Sequence, residues 1–322
     1  MRVTWLILIG AGALAVQPAG CQPLQYPPQM EGAKIEVYKT VGDVKLKLYI
    51  FEPPAFSISD KRAAIIFFFG GGWQLGSPEQ FEQQCRYLAS RGMVAITADY
   101  RVSSRQAVKV PDSVRDAKSA IRWVRRNAFR LGIDPLRIAA GGGSAGGHIA
   151  AAAGVIPGGD EPGEDPKVSS RPDALVLFNP AVVLAPIPEA QVPDVEVWRK
   201  QFGQLSAIPE FAGVDTAAIS PYDHVAKGAP PTIILHGKAD KSVAYFTVEL
   251  FTKKMIAAGN RCDLVGFDGE SHGFFNYGRN GNKAYYETLR KAEEFLTSLS
   301  YLTGKSSLPS GPGSNELPSP DG

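Results

Sequence analysis

Arg137-Ile138-Ala139-Ala140-Gly141-Gly142-Gly143-Ser144-Ala145-Gly146-Gly147-His148 is the stretch that decides the fold. Residues 137–140 read as a buried strand, the glycines form a turn, and a helical pattern opens at Ser144 and runs to about Gly154. Strand, tight turn and helix form the unit from which parallel sheets are built. Working outward, the unit repeats. Residues 63–69 are apolar throughout, which suits a strand covered on both faces. Ser77-Pro78-Glu79 then opens a helix to Arg91, with Ser77 as N-cap and Pro78 at the first helical position. Residues 94–98 are the next buried strand. Residues 111–131 make a long helix with Val114, Ala117, Ile121 and Val124 on one apolar face. Beyond the turn, 174–178, 232–235 and 262–267 read as strands, and 245–258 and 284–296 as helices. Residues 35–39 and 44–51 alternate apolar with polar, as an antiparallel edge hairpin does. The expectation is an α/β fold in one domain, residues 34–300. Its central sheet has about eight strands, mostly parallel, with helices on both faces and an antiparallel N-terminal edge. In such sheets the working loops lie at the carboxyl ends of the strands.

Composition agrees with this reading. Of 322 residues, 44% are hydrophobic and 20% charged, close to the globular average, which excludes wholesale disorder. The 34 glycines and 25 prolines fall short of the roughly 25–30% share that marks low-complexity chains. Basic and acidic residues nearly cancel, 34 against 32, so no strong field draws in nucleic acid. Three cysteines without CxxC spacing make neither a disulfide framework nor a zinc site.

Residues 1–20 carry Arg2, an apolar run to Val16 and small residues at Ala19 and Gly20, the pattern of a secretory signal peptide. The run is shorter than the ~18 residues of a spanning helix, although a permanent N-terminal anchor is the competing reading. Ala19-Gly20-Cys21 ends as a lipoprotein signal does, with Pro18 where leucine is usual. Membrane attachment is expected only if Cys21 is lipidated. The mature chain is expected outside the cytoplasm, periplasmic or secreted. There Cys85 and Cys262 can bridge if their Cα atoms come close enough. Residues 21–33 read as a short linker and 304–322 as a disordered tail. Oligomeric state is not readable.

Two functional readings compete for the glycine turn. Gly141, Gly143 and Gly146 satisfy the dinucleotide fingerprint GxGxxG; Gly142, Ser144 and Gly146 satisfy the nucleophile elbow GxSxG. A dinucleotide site needs an acidic residue about 20 positions on, at the end of a strand. Here that region, residues 157–162, is a loop with no strand before it. The elbow explains the glycines better, because a strained turn tolerates only small residues beside its serine.

A serine hydroxyl needs a base, and the base an acid to orient it. Four histidines make elimination practical. His148 lies four residues into the helix and reads as interior packing, His236 ends a buried strand as a structural residue, and His224 sits in a loop. His272 remains, in a loop after the last strand. Asp240, in the turn after the penultimate strand, fits as the acid, with Asp223, Asp268 and Glu270 as alternatives. Residues 65–69 run into Gly70-Gly71-Gly72-Trp73, a loop able to aim N–H groups at one point, and the amide of Ala145 supplies another donor.

Phe69-Gly70-Gly71-Gly72-Trp73, Asp99-Tyr100-Arg101, Asp134-Pro135-Leu136-Arg137-Ile138, Gly142-Gly143-Ser144-Ala145-Gly146-Gly147-His148, Gly237-Lys238-Ala239-Asp240 and Ser271-His272-Gly273-Phe274 occur in that order. Together they resemble the α/β-hydrolase superfamily, in the esterase branch of hormone-sensitive-lipase-like and acetyl-xylan or feruloyl esterase-like (BD-FAE-like) enzymes. The likeness spans about residues 34–300. It implies Ser144, Asp240 and His272 as the triad, Gly71, Gly72 and Ala145 as oxyanion donors, and no metal or cofactor. Phe69 stands where the lipase-like branch has the histidine of His-Gly-Gly-Gly, which braces the loop. Residues 21–34 are too short for a helical cap, so an open site is expected, suited to a carbohydrate ester or another small ester. Trp73 and Tyr100 are expected to shape the pocket, and 157–171 with 181–218 to form a partial lid. The rival readings are a peptidase of prolyl-oligopeptidase type and a silent hydrolase fold used for binding.

Overall fold

The computed structural model describes residues 26–308, apart from 189, 191 and 194. The expected signal peptide, Cys21 and residues 309–322 lie outside the described residues. Along the chain come β1 (Lys34–Val41), β2 (Val44–Phe51), β3 (Arg62–Phe68), α1 (Glu82–Ser90), β4 (Val94–Ala98), α2 (Ser103–Gln106), α3 (Val110–Arg126) and β5 (Ile133–Gly143). Then follow α4 (Ala145–Val155), β6 (Ala174–Phe178), α5 (Val195–Ser206), β7 (Thr232–Gly237), α6 (Tyr245–Ala257), β8 (Cys262–Phe267) and α7 (Lys283–Ser298).

The sheet has eight strands in the order β1-β2-β4-β3-β5-β6-β7-β8. β1 and β2 pair antiparallel, β2 meets β4 antiparallel, and every pairing from β4 to β8 is parallel. The chain moves from β3 outward to β4, then returns past β3 to β5. The carboxyl ends of β3 and β5 therefore flank the switch point of the strand order, where open α/β sheets place their ligands.

The sheet is covered on both faces. One face buries Val114, Ile121 and Val124 of α3, Ile149 of α4, and Val248 and Phe251 of α6. The other buries Leu88 of α1 with Tyr285, Leu289 and Phe295 of α7. Two expected helices are shorter than their patterns. The turn at Pro78–Phe81 is a 3₁₀ helix in which Ser77 caps the Glu79 amide, and α1 follows it. α3 stops at Arg126, where Asn127 leaves helical geometry (φ −96°, ψ 9°) and its side-chain amide donates to the Trp123 carbonyl at 2.8 Å. Asp116 on α3 is fully buried yet satisfied: Lys39 Nζ (2.6 Å), Arg101 Nε (2.8 Å) and Arg101 Nη2 (2.9 Å) all donate to it. Hydrogen bonds of this number and directness offset the cost of burying a carboxylate.

Two expectations need correction, and one question left open by the sequence is answered. Segment 157–171 is not part of a lid. The 11-residue α4 carries the chain roughly 16 Å from Ser144 at ~1.5 Å per residue, to the amino edge of the sheet. There Arg122 holds Asp160 (2.7 Å) and the Val168 carbonyl (2.7 Å), and Lys118 holds the Ile156 carbonyl (2.8 Å). The disordered tail does not begin at 304, since Leu308 is buried in the core and Ser306 Oγ lies 3.1 Å from the Tyr87 hydroxyl. Cys85 and Cys262 are both free and buried, in the cores on opposite faces of the sheet. Burial pushes both thiols up, that of Cys262 to about 11. Alkylation without reductant should therefore spare both in the native protein and label both in denaturant. A peptide map showing them linked would overturn this.

Candidate active site

Ser144 stands between β5 and α4 with φ 53° and ψ −118°, a conformation that ordinary side chains avoid. Its amide donates to the Phe178 carbonyl (3.0 Å), and its own carbonyl accepts from His148 N (2.9 Å). The flanking glycines are required by contact. A Cβ on Gly146 would lie 2.0 Å from the Phe68 carbonyl oxygen, and one on Gly142 would lie 2.5 Å from that same oxygen. The end of β3 therefore touches the start of α4 backbone to backbone.

The structure brings Ser144, His272 and Asp240 together. His272 Nε2 lies 2.9 Å from Ser144 Oγ, and His272 Nδ1 lies 2.7 Å from Asp240 Oδ2. With Nδ1–H donating to the carboxylate, Nε2 is left to accept from the serine hydroxyl. The other carboxylate oxygen accepts from the amides of Ser242 (2.8 Å) and Val243 (2.9 Å). Burial pushes the Asp240 carboxyl up, but hydrogen bonds from His236, His272 and Val243 N outweigh it and hold the group well below the usual carboxylate range. Asp223, Asp268 and Glu270 do not reach His272. Asp268 instead pairs with Lys238 at 2.8 Å.

His236, read from sequence as structural, also touches the acid. Its Nε2 lies 3.0 Å from the Val243 carbonyl and 3.3 Å from Asp240 Oδ2, and the ring is fully buried. It sits four residues before Asp240, across the turn after β7, so the contact follows from the turn itself.

Opposite Ser144, the loop after β3 carries Gly71 at φ +130° and Gly72 at φ +63°. A Cβ on Gly71 would lie 2.1 Å from the Leu75 carbonyl oxygen, so only glycine fits. Among the described residues the amides of Gly71, Gly72 and Ala145 donate to no acceptor. Ala145 opens α4, whose first-turn N–H groups have no intrahelical partner and carry the positive end of its dipole. These amides can receive a developing negative oxygen.

Trp73 and Tyr100 do not line a pocket as expected; both brace the loop. Trp73 is 3% exposed, donates its indole N–H to His148 Nδ1 (3.1 Å) and packs edge-on against Phe211. Tyr100 is fully buried, stacks on Phe69 with centroids 4.2 Å apart, and donates to the Phe69 carbonyl (2.8 Å). Of the two expected lid segments, 181–218 does border the site. Ala181 N approaches the Ser144 carbonyl at 3.5 Å, and Glu210 accepts from Gln74 Nε2 (3.0 Å) and from Ser103 Oγ. Sequence reasoning misses Glu210, because nothing around it separates it from a solvated loop acid.

His148 of α4 faces the glycine loop after β3 and the stretch that ends segment 181–218. It accepts from Trp73 at Nδ1 and donates from Nε2 to the Ile219 carbonyl (2.8 Å), so it must be neutral. Burial lowers it from 6.5 to about 4. The unfolded chain then binds the extra proton between these values, so stability is full above pH 6.5 and is lost as pH falls toward 4. Denaturant unfolding at pH 7 and pH 5 should show wild type losing about 2 kcal/mol more than His148→Gln. Parallel losses in the two proteins would refute this.

Residues 48–255 match the family model BD-FAE. Solved structures similar to this chain include Thermogutta terrifontis esterase 2. Its native form is 51% identical with a TM-score of 0.80, covering 88% of this chain and 98% of that one. Its propionate-bound form is 52% identical with a TM-score of 0.79, covering 88% and 100%; other forms are phosphonylated by sarin or phosphorylated by paraoxon. Curated relatives include carboxylesterase NlhH of Mycobacterium tuberculosis, 31% identical over 147 residues and 44% of either chain. Esterase LipC of the same species is 28% identical over 65% of this chain and 52% of its own. The chain thus spans about half the length of the curated relatives it matches. With a family model matched over most of its length and a fold shared with solved esterases at about half identity, the chain belongs to the BD-FAE family of α/β-hydrolases.

Proposed function

We propose that this chain is a serine carboxylesterase for short acyl esters, acting through Ser144, His272 and Asp240. The observation that carries the reading is the hydrogen-bonded line from Asp240 Oδ2 through His272 to Ser144 Oγ, facing unpaired amides. Ser144 Oγ attacks the ester carbonyl carbon while His272 Nε2 takes its proton. Asp240 holds the imidazole in the tautomer that leaves Nε2 free and stabilises its cationic form. The negative oxygen of the tetrahedral intermediate rests on the amides of Gly71, Gly72 and Ala145. His272 then gives its proton to the leaving alcohol, and the acyl group stays on Ser144. Water activated by the same imidazole attacks the acyl-enzyme, releasing the acid and restoring the hydroxyl. No step calls for a metal or cofactor.

Propionate- and butyrate-bound forms of Thermogutta esterase 2 support a short acyl group. On the alcohol side we propose a polysaccharide hydroxyl, and of the acetyl and feruloyl esters that BD-FAE membership suggests, the short acyl group favours acetyl. The pattern of residues 1–20 supports export, periplasmic or secreted, with Cys21 as the point of attachment if it is lipidated.

Hydrolysis of p-nitrophenyl acetate, propionate and butyrate is expected, declining for longer chains, with none of an aminopeptidase substrate. Ser144→Ala should abolish turnover, and Asp240→Asn should lower kcat by roughly 10⁴-fold by favouring the wrong tautomer. Paraoxon should inactivate the wild type with one phosphoryl group on Ser144. Absence of both hydrolysis and labelling would favour a silent binding fold.

A further inference from the structure

The amide of Gly70, immediately before the two oxyanion glycines, donates to Gln80 Oε1 at 2.6 Å. Gln80 Nε2 donates to Asn276 Oδ1 at 2.9 Å, bridging 196 positions of sequence. Asn276 Nδ2 in turn donates to the carbonyl of Gly273 (2.8 Å), the residue after His272. Gly273 N completes the line by donating to Asn179 Oδ1 at 3.1 Å, and Asn179, at the end of β6, is fully buried.

We propose that Gln80 and Asn276 are positioning residues that fix the oxyanion loop against the loop of His272. The inference rests on the esterase reading above, and neither side chain touches the reacting atoms.

The chemistry of the line allows one arrangement only. Gly70 N–H can only donate, so Gln80 must turn its oxygen toward it. Its NH₂ then faces Asn276, which must present oxygen and so keeps its own NH₂ for the Gly273 carbonyl, which can only accept. Every link has its direction set from both ends, so neither carboxamide can flip without losing two hydrogen bonds. The line also joins the two parts whose separation matters most. The tetrahedral intermediate needs its oxygen on the amides of Gly71 and Gly72 while His272 Nε2 holds the proton. These groups come from loops after β3 and after β8, with β5, β6 and β7 between them in the sheet. A small drift of one loop against the other costs rate rather than binding.

The test compares Gln80→Met, Asn276→Leu and the double variant on p-nitrophenyl acetate. Each single change should lower kcat about tenfold with KM within about twofold, less than the roughly 10²–10³ of deleting an oxyanion donor. The double variant should be no worse than either single one, because both cut the same line. Gln80→Glu gives a second readout that does not depend on the apolar variants folding. The introduced carboxyl, when ionised, accepts from Gly70 but cannot donate to Asn276; when protonated it does both, as the native amide does. Activity of this variant relative to wild type should therefore rise as pH falls from about 8 to about 5. Wild-type kcat in Gln80→Met, losses that multiply in the double variant, or a flat Gln80→Glu ratio would overturn the proposal. If wild type itself hydrolyses no ester, the esterase reading fails instead.

Discussion

Everything at the site depends on one close approach, that of Gly146 to the carbonyl oxygens of Phe68 and Phe69, where a Cβ would stand 2.0 and 2.3 Å away. Because residue 146 has no side chain, the first turn of α4 lies directly on the end of β3. The serine and the loop that faces it are therefore spaced by backbone contact, which varies little, rather than by side-chain packing, which breathes. The positive φ of Ser144 is part of the same constraint. Such a conformation costs on the order of 1–3 kcal/mol and persists only where its surroundings over-determine it. Here the hydrogen bond from the Ser144 amide to the Phe178 carbonyl and the start of α4 do so. The hydroxyl is left standing clear of the helix at the switch point of the sheet.

Asp240 poses the complementary problem of keeping a buried carboxylate charged. Its side chain is fully buried, and an isolated charge there would take up a proton instead. Three donors prevent it, two amides of its own turn and His272, while His236 Nε2, whose N–H is shared with the Val243 carbonyl, stands 3.3 Å from the carboxylate. The amides fix one oxygen, which leaves the other for the two imidazoles. His236 and His272 both approach that second oxygen, at 3.3 and 2.7 Å, so the carboxylate is held at each end.

Much of this was legible in the sequence because the signals are local. Apolar runs with no polar alternation marked β3, β4 and β6, and the spacing of small residues around Ser144 marked the elbow. Four histidines were few enough to sort by position. What escaped depends on where distant segments meet. Nothing around 157–171 says that Arg122 will pull it to the amino edge of the sheet. Leu308 looks like any leucine in a polar tail until the surface beside Tyr87 receives it. Trp73 and Tyr100 sit in the expected loops, but residue type does not tell an aromatic that faces substrate from one that faces the core. Gln80 and Asn276 are each ordinary polar residues, and their meaning exists only as a pair.

Phe69 shows how these levels interact. A histidine at this position would brace the loop through polar ring atoms, and phenylalanine has none. The bracing is distributed instead. Tyr100 holds the Phe69 carbonyl, Gln80 the Gly70 amide, His148 the Trp73 indole, and Arg105 Nη1 the Gly76 carbonyl at 2.8 Å. These four partners come from three stretches of chain, the turn before α1, the connection between β4 and α3, and α4, so the loop is held from three sides. The phenyl ring contributes by stacking on Tyr100, which aims that hydroxyl back at the Phe69 carbonyl. The substitution thus replaces one polar brace by an apolar surface that orients another, leaving the amides of Gly71 and Gly72 free to face the serine.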